Sequence, residues 1–291
     1  MSRRTFNAKH RRNFVRPFLV FAAVTLAGCA APSPSSRPRD PLPSSDARLD
    51  AVLWQTTSAE YRVLAQSIYA TARMHLDRAL ADRQWTALPD QKGNFQNLPP
   101  AVIMDVDETV IDTGTFQSSM VKNRERFSSG HWRDWQLRNE TGAVPGAVEF
   151  IHYAQSRGVT VFFVTNRDFA TEPITRANLT TIGIKLSDQL DTVLSRNERP
   201  EWNADKTSRQ SFIAQSHRVL MLFGDDLADF IAEYRSAPIA RRQAALQRSE
   251  WGTKWFMLPN PMYRSWEGSL YDFNAELNSD GVLKRKLDQL P

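Results

Sequence analysis

The stretch VIMDVDETVID, residues 102–112, decides both the fold and the chemistry of this chain. The apolar run from Ala101, directly before this stretch, to Met104 is typical of a short strand that is buried on both faces. Two carboxylates, Asp105 and Asp107, follow at the end of that strand. Because the carboxyl ends of parallel strands line the ligand crevice of an open sheet, we expect both side chains to face a functional site.

Further apolar segments alternate with helical patterns and predict the rest of a sheet. The predicted strands are residues 159–164, 192–194, 219–223 and 255–258, and helices are predicted near 145–157, 171–182 and 205–215. This alternation predicts an α/β fold with a doubly wound, Rossmann-like parallel sheet. Residues 46–82 repeat apolar positions at helical spacing and predict an N-terminal flank of one or two amphipathic helices.

The segment after the first strand, about residues 113–144, is a candidate cap insertion. An insertion at the carboxyl end of a strand lies over the active site of such a sheet. The segment carries Phe127 and Trp132 among polar residues. These rings can offer flat apolar surfaces to a ligand, or they can pack the cap against the sheet. The sequence leaves both roles open.

Polar residues end three of the predicted strands, and they should converge on one crevice. Besides the first pair, they are Thr165 with Asn166, and Asp225 with Asp229. A carboxylate cluster beside a lysine suits a hard cation such as Mg²⁺ and phosphate chemistry. The lysine is Lys206 or its rival Lys185, and spacing alone favours neither conclusively. One cysteine and five scattered histidines argue against a transition-metal site.

The basic character of the chain belongs to its N-terminus. The formal net charge is +5, yet six Lys and Arg residues and no acid precede Cys29, so the remainder carries about −1. We therefore exclude nucleic acid as a partner. Residues 1–28 combine this basic region with an apolar core of about nine residues, which is too short to span a bilayer. They predict a signal peptide.

The end of the predicted signal, LAGC at residues 26–29, resembles the lipobox of bacterial lipoproteins. The resemblance implies a lipid anchor at Cys29 and a place in the cell envelope, as an outer-membrane lipoprotein of a Gram-negative bacterium. Residues 2–6 resemble a twin-arginine motif, and an ordinary basic region is an equal alternative. Residues 29–45 are rich in proline and serine and predict a tether ahead of one domain over 46–291.

The motifs as a set resemble the haloacid dehalogenase superfamily. They are DVDET after a strand, a strand that ends in threonine, a downstream lysine, and GDDLADF. Within it, MDVDETVIDT, FGDDLADF and LPNPMYRSWEG resemble the class C acid phosphatases, the outer-membrane lipoprotein 5′-nucleotidase family. The resemblance covers roughly residues 46–275. It implies a Mg²⁺-dependent phosphomonoesterase that acts on small molecules.

The resemblance also implies a role for each motif residue. Asp105 is the expected nucleophile, which forms an aspartyl-phosphate, and Asp107 is the expected acid and base. Thr165 and Lys206 are expected to bind the phosphoryl oxygens. The expected Mg²⁺ site consists of Asp105, the backbone carbonyl of Asp107, and Asp225, with Asp229 holding metal-bound waters.

A nucleoside 5′-monophosphate is the substrate that the resemblance implies. The expected substrate contacts are Phe127, Trp132, Asn166 and Tyr263. Two positions depart from the family pattern: Asp226 stands where asparagine is more usual, and Arg264 stands where glycine is usual. The turn that carries Tyr263 is therefore open to question.

Two other functions compete with phosphoester hydrolysis. A surface lipoprotein that binds haem or a nucleotide without turnover is the main alternative, but such a binder is expected to have lost Asp105 or Asp107. A phosphotransferase or mutase on the same fold is disfavoured, because a surface-tethered enzyme meets little sugar phosphate to isomerise. The sequence therefore favours a hydrolase.

Overall fold

Strands form the centre of the part of the chain that the computed structural model describes, residues 46–291. These residues contain β1 (Pro100–Met104), β2 (Ile111–Asp112), β3 (Gly142–Ala143), β4 (Thr160–Asp168), β5 (Val193–Arg196), β6 (Arg218–Gly224) and β7 (Trp255–Met257). The predicted signal peptide and the whole predicted tether, including Cys29, lie outside the described residues.

Helices surround these strands. They are α1 (Leu49–Thr57), α2 (Ala59–Ala81), α3 (Gly114–Asn123), α4 (Ser129–Arg138), α5 (Ala147–Ser156), α6 (Glu172–Thr181), α7 (Thr207–Ser216), α8 (Ile239–Arg242), α9 (Ser265–Ser269) and α10 (Ser279–Leu287). Across residues 46–291, we find no helix that is both long enough and apolar enough to cross a membrane.

The main sheet has the order β5-β4-β1-β6-β7, and every neighbouring pair is parallel. The predicted α/β fold with a doubly wound parallel sheet is confirmed, and all five predicted strands are present. β1 lies in the middle, with Met104 paired to Phe163 of β4 and to Phe223 of β6. The residue after β1 therefore emerges at the centre of the carboxyl edge of the sheet.

The two faces of the sheet bury separate hydrophobic clusters. Val102 and Met104 of β1 belong to the cluster under α2, α5 and α6, whereas Ala101 and Ile103 belong to the cluster under α7. This alternation follows from the two-residue period of a strand. On the first face, Tyr69 of α2 stacks on Phe223, with ring centroids 5.6 Å apart. Because both faces are covered, β1 is apolar throughout, as a parallel strand of this kind must be.

The N-terminal flank consists of two helices rather than one. Ser58 separates α1 from α2 because its backbone is extended, and its side chain accepts a hydrogen bond from the Tyr61 amide at 3.1 Å. This is the usual geometry of a serine N-cap. The helix α2 that begins there packs against α5, β6 and β7.

Four features of the fold differ from the sequence prediction. β4 continues past Thr165 to Asp168, because Asp168 pairs with Arg196 of β5 after a register shift that leaves the intervening positions outside the regular ladder. β2 and β3 form a small antiparallel sheet beside the main one. Residues 232–247 form short helical turns, and α10 follows α9; neither region was assigned from the sequence.

Candidate active site

Asp105 lies at the centre of the site, directly after β1. Its backbone amide donates to the carbonyl of Phe223 at 2.9 Å, which fixes it beside β6. Its side chain is 3% exposed and contacts the ammonium group of Lys206 and the guanidinium of Arg264, the latter at 2.8 Å. Burial raises the pKa of Asp105, but the two cations together hold that pKa below its ordinary value. A buried carboxylate with flanking cations is a suitable nucleophile.

Lys206 is the lysine of this site. It precedes α7, and its ammonium group bridges Asp105 and Asp229, with 2.8 Å to the latter. Lys185, the rival considered from the sequence, is exposed and lines a surface depression with Gly158 and Thr160 at the amino end of β4. The structure therefore places Lys206 at the carboxylates and Lys185 at the other end of the sheet.

Asp225 and Asp229 follow β6 and complete a group of buried acids. One oxygen of Asp225 accepts from the Asn260 amide at 2.7 Å and from Nε of Arg264 at 2.5 Å. Burial raises the pKa values of both aspartates. Gly224 is required here, because a Cβ at this position would overlap the Asp229 side chain.

This acidic group fits a divalent cation. Asp105, Asp225 and Asp229 offer carboxylate oxygens that all lie within 4.8 Å of one another. The second oxygen of Asp225, Oδ1, is buried and has no hydrogen-bond partner. Such an orphaned buried acceptor is costly unless a cation or water completes it. Carboxylate oxygens at this spacing are the ligands that hard divalent cations prefer.

Arg167 holds Asp107, and the sequence analysis missed this residue. Its Nε lies 3.1 Å from both carboxylate oxygens of Asp107, and its Nη2 lies 2.7 Å from Oδ1. The arginine side chain is only 1% exposed, and its Nη1 donates to Asn178 at 2.8 Å. It follows Thr165 by two residues, and this two-residue spacing was the available signal. Arg167 therefore orients the Asp107 carboxylate.

The end of β4 contributes Thr165 and Asn166. Thr165 is buried, and its hydroxyl accepts from the Arg167 amide at 3.1 Å. The Asn166 side chain donates to the carbonyl of Ala204 at 3.1 Å and accepts from Arg209 at 2.8 Å. Both polar atoms of the Asn166 amide are therefore engaged by the protein, whereas the sequence analysis predicted a substrate contact. These bonds join β4 to the loop that carries Lys206.

Glu108 and Tyr263 form a second pair that the sequence analysis did not anticipate. The Tyr263 hydroxyl donates to the Glu108 carboxylate, which also accepts from the Thr113 amide at 3.0 Å. Burial, together with the charge of Asp107, raises the pKa of Glu108 to about 8. The hydroxyl of Tyr263 is thus held by the loop after β1, and its ring remains half-buried.

The predicted cap residues have unequal environments. Trp132 of α4 stacks on Trp135 with centroids 5.0 Å apart, and Arg167 lies over its ring at 5.3 Å. Phe127 lies in the loop between α3 and α4 and is 65% exposed; its ring centroid lies 6.3 Å from that of Phe116, edge to face, and 6.5 Å from that of Trp132. Trp132 is therefore linked to Asp107 through Arg167, whereas Phe127 is largely free.

Asp226 and Arg264, the two departures from the family pattern, lie in segments that contact each other. The Asp226 carboxylate accepts from the Ser265 amide at 2.6 Å and from its hydroxyl at 2.5 Å. Arg264, directly before that serine, has φ +110° and ψ −174°. Its guanidinium reaches into the acidic group and also donates to the backbone carbonyl of Asp107 at 2.9 Å. The segment after β7 is therefore fixed to the loop after β6.

Comparisons with known proteins give a consistent result. Residues 41–266 match the family model described as HAD superfamily, subfamily IIIB (acid phosphatase). Two solved structures of the class C acid phosphatase from Bacillus anthracis, one with tungstate bound, are each 30% identical with a TM-score of 0.73. The alignment covers 84% of this chain and 96% of that protein.

One curated relative is more distant. The Stem 28 kDa glycoprotein of Glycine max is 22% identical over 165 residues, which are 55% of this chain. The match covers 58% of that relative, so the chain spans little more than half of its length.

Proposed function

This chain belongs to subfamily IIIB of the haloacid dehalogenase superfamily, the acid phosphatases, and we propose that Asp105 is the nucleophile with which it hydrolyses phosphomonoesters. The observation that carries this assignment is the environment of Asp105. Its buried carboxylate emerges from the central strand between Lys206 and Arg264. The lysine in that position attracts a phosphate dianion to the group that attacks it.

The proposed reaction has two steps. An oxygen of Asp105 attacks phosphorus, the bond to the ester oxygen breaks, and the leaving alcohol takes a proton from Asp107. A water molecule then gives a proton to Asp107 and attacks the aspartyl-phosphate, which releases inorganic phosphate and restores Asp105. Lys206 and the hydroxyl of Thr165 bind the phosphoryl oxygens in both steps. Arg167 supports this sequence because it orients the carboxylate that exchanges the proton.

Mg²⁺ is the cofactor that we propose. Asp105, Asp225 and the backbone carbonyl of Asp107 would hold it, and Asp229 would support its waters. When bound, the ion supplies positive charge that offsets the repulsion between the carboxylates and the phosphate. The Bacillus anthracis relative binds tungstate, an oxyanion of the same class as phosphate, which supports an oxyanion site in this family.

Nucleoside 5′-monophosphates are the substrates that we propose. The half-buried ring of Tyr263 and the exposed ring of Phe127 follow β7 and α3, and Trp132 lies beside Arg167. Rings of this kind offer surfaces on which a nucleobase can stack. Small aliphatic phosphates lack that interaction and are expected to be poorer substrates.

The proposed location is the outer membrane, through a lipid on Cys29. The support is the LAGC motif after a basic and apolar N-terminal segment. Cys29→Ser should move the protein from the washed membrane fraction to the soluble fraction, because the proposed anchor is covalent lipid. If the variant still sediments with membranes, the lipid anchor is wrong.

Phosphate release tests the activity and the cofactor together. The purified protein should release phosphate from AMP and from aryl phosphates, lose this activity after dialysis against EDTA, and regain it with Mg²⁺. Asp188→Asn, which changes an exposed acid, is a matched control for any acid substitution in the site. Full activity after removal of metal would contradict the metal site. If no monoester releases phosphate, the proposed phosphatase activity is wrong.

A further inference from the structure

Arg264 contacts three of the groups that we assign to the metal: the carboxylates of Asp105 and Asp225 and the backbone carbonyl of Asp107. Its Nη2 lies 2.8 Å from Oδ2 of Asp105 and 2.9 Å from the backbone carbonyl of Asp107, and its Nε lies 2.5 Å from Oδ2 of Asp225. The side chain is 18% exposed, so these contacts are largely removed from solvent. The guanidinium therefore has the environment that a hard cation would have.

The backbone of Arg264 adopts a conformation that favours glycine. Its φ of +110° with ψ of −174° lies in a region that side chains with a Cβ rarely occupy. Hydrogen bonds hold the segment on both sides: Asp226 binds Ser265, and the Trp266 indole donates to the carbonyl of Asn260 at 3.0 Å. The strained conformation directs the arginine into the acidic group instead of towards solvent.

Charge explains why the arginine is held there. The three clustered carboxylates carry three formal negative charges, and Lys206 with Arg264 supplies two positive charges. A divalent cation in place of the guanidinium would balance the group. Both cations cannot occupy the position between these oxygens, because like charges at contact distance repel strongly in a buried site.

We propose that Arg264 is a tethered cation that competes with the divalent metal for Asp105, Asp107 and Asp225. The metal binds only when the arginine side chain leaves, so Arg264 lowers the affinity of the site for metal and sets the concentration at which the enzyme is loaded. This inference rests on the proposed metal site. It adds a determinant of metal affinity to the position where the family pattern has glycine.

Metal titration by calorimetry tests this competition without reference to activity. The proteins compared are the wild type, Arg264→Gly and Arg264→Gln, each freed of metal with EDTA. The control is Arg241→Gln, which removes an exposed arginine that pairs with Glu233. A competitor that leaves the open state at about 1–10% weakens apparent affinity about 10- to 100-fold. Both Arg264 variants should therefore bind Mg²⁺ at least about tenfold more tightly, and the control should match the wild type.

Thermal unfolding gives a second readout. In EDTA, Arg264→Gln should melt at a lower temperature than the wild type, because the acidic group loses a counter-charge. Mg²⁺ should then raise the melting temperature of Arg264→Gln by more than it raises that of the wild type. An equal shift in both proteins would contradict the competition.

The outcomes separate this inference from the proposed function. If all four proteins bind Mg²⁺ with the same dissociation constant, the metal site stands and the competition is wrong. If only Arg264→Gly binds more tightly, relief of backbone strain explains the gain and competition by charge is wrong. If none binds Mg²⁺, both the metal site and the competition are wrong.

Discussion

The strand-end acids and the aromatic cluster of the cap differ in where their contacts come from in the chain. Asp105, Asp225 and Asp229 contact cations that come from distant parts of the chain. The cap aromatic cluster, which we define as Phe116, Trp132 and Trp135, consists of rings that contact one another within one segment. The acids thus depend on distant residues for their charge balance, whereas the rings are buried by one another and by the hydrophobic core under α2, α5 and α6.

This difference suggests that the acids serve the reaction and that the rings serve the stability of the fold. Buried acids that are held by long-range ion pairs contribute little net stability and are retained for what they do. Buried aromatic rings contribute large apolar areas and specific contacts to the folded state. We therefore expect substitutions in the acids to affect turnover and substitutions in the cluster to affect unfolding.

Asp105→Asn should cause the largest effect. It removes the attacking charge and keeps nearly the same volume, so turnover should fall roughly 10⁴-fold or more, about 5.5 kcal/mol of activation free energy. Circular dichroism and gel filtration should match the wild type. Retention of more than about a hundredth of the activity would contradict the nucleophile assignment and weaken the comparison.

Trp135→Ala should affect stability instead. The indole is 1% exposed, and its Nε1 donates to the Thr115 hydroxyl at 2.9 Å. Its loss should lower the free energy of unfolding by about 3–5 kcal/mol, measured by denaturant titration. Trp135→Phe keeps a ring and should lose less. A loss below about 1 kcal/mol for the alanine variant would show that the cap aromatic cluster is not a stabilising unit.

Tyr263→Ala should reveal whether a ring outside the cluster serves the substrate. Stacking of a base is worth roughly 1–3 kcal/mol, so kcat/KM for AMP should fall about 5- to 150-fold while an alkyl phosphate is unaffected. Tyr263→Phe is the matched control, because it keeps the ring and removes only the bond to Glu108. Equal losses on both substrates would indicate a collapsed segment instead of lost stacking.

Phe127→Ala should have the smallest effect. The ring is mostly exposed, so the free energy of unfolding should change by no more than about 0.5 kcal/mol. The loss in kcat/KM for AMP should be smaller than that of Tyr263→Ala. If the free energy of unfolding falls by much more than about 0.5 kcal/mol, Phe127 is a member of the cap aromatic cluster.

Much of the fold could be predicted from the sequence because its signals are local. An apolar run as short as 219–223 is typical of a strand that is buried on both faces of a sheet. The alternation of such runs with helices then predicts a parallel sheet. The acids then follow, since a strand end positions whatever comes directly after it. The family implied by these motifs is confirmed by the match over residues 41–266.

The partners of the acids could not be predicted in the same way. Arg167 and Arg264 have long side chains that can reach many acceptors. Only the tertiary structure shows that Arg167 binds Asp107 and that Arg264 binds three separate oxygens. The burial of Glu108 was equally hidden, because its partner Tyr263 lies 155 residues away in the chain. The short turns of 232–247 lack a regular apolar period, so no pattern marked them.

The central place of β1 in the sheet has a consequence for folding during synthesis on the ribosome. Asp105 is made early, yet its contacts lie 101 residues later at Lys206 and 159 residues later at Arg264. Contacts of such long range form slowly and only after the distant segments have been synthesised. A nascent chain that has passed α7 but not β7 therefore contains Asp105 and Lys206 but lacks Arg264. Asp105 therefore gains its second counter-charge only after the segment that follows β7 has been synthesised.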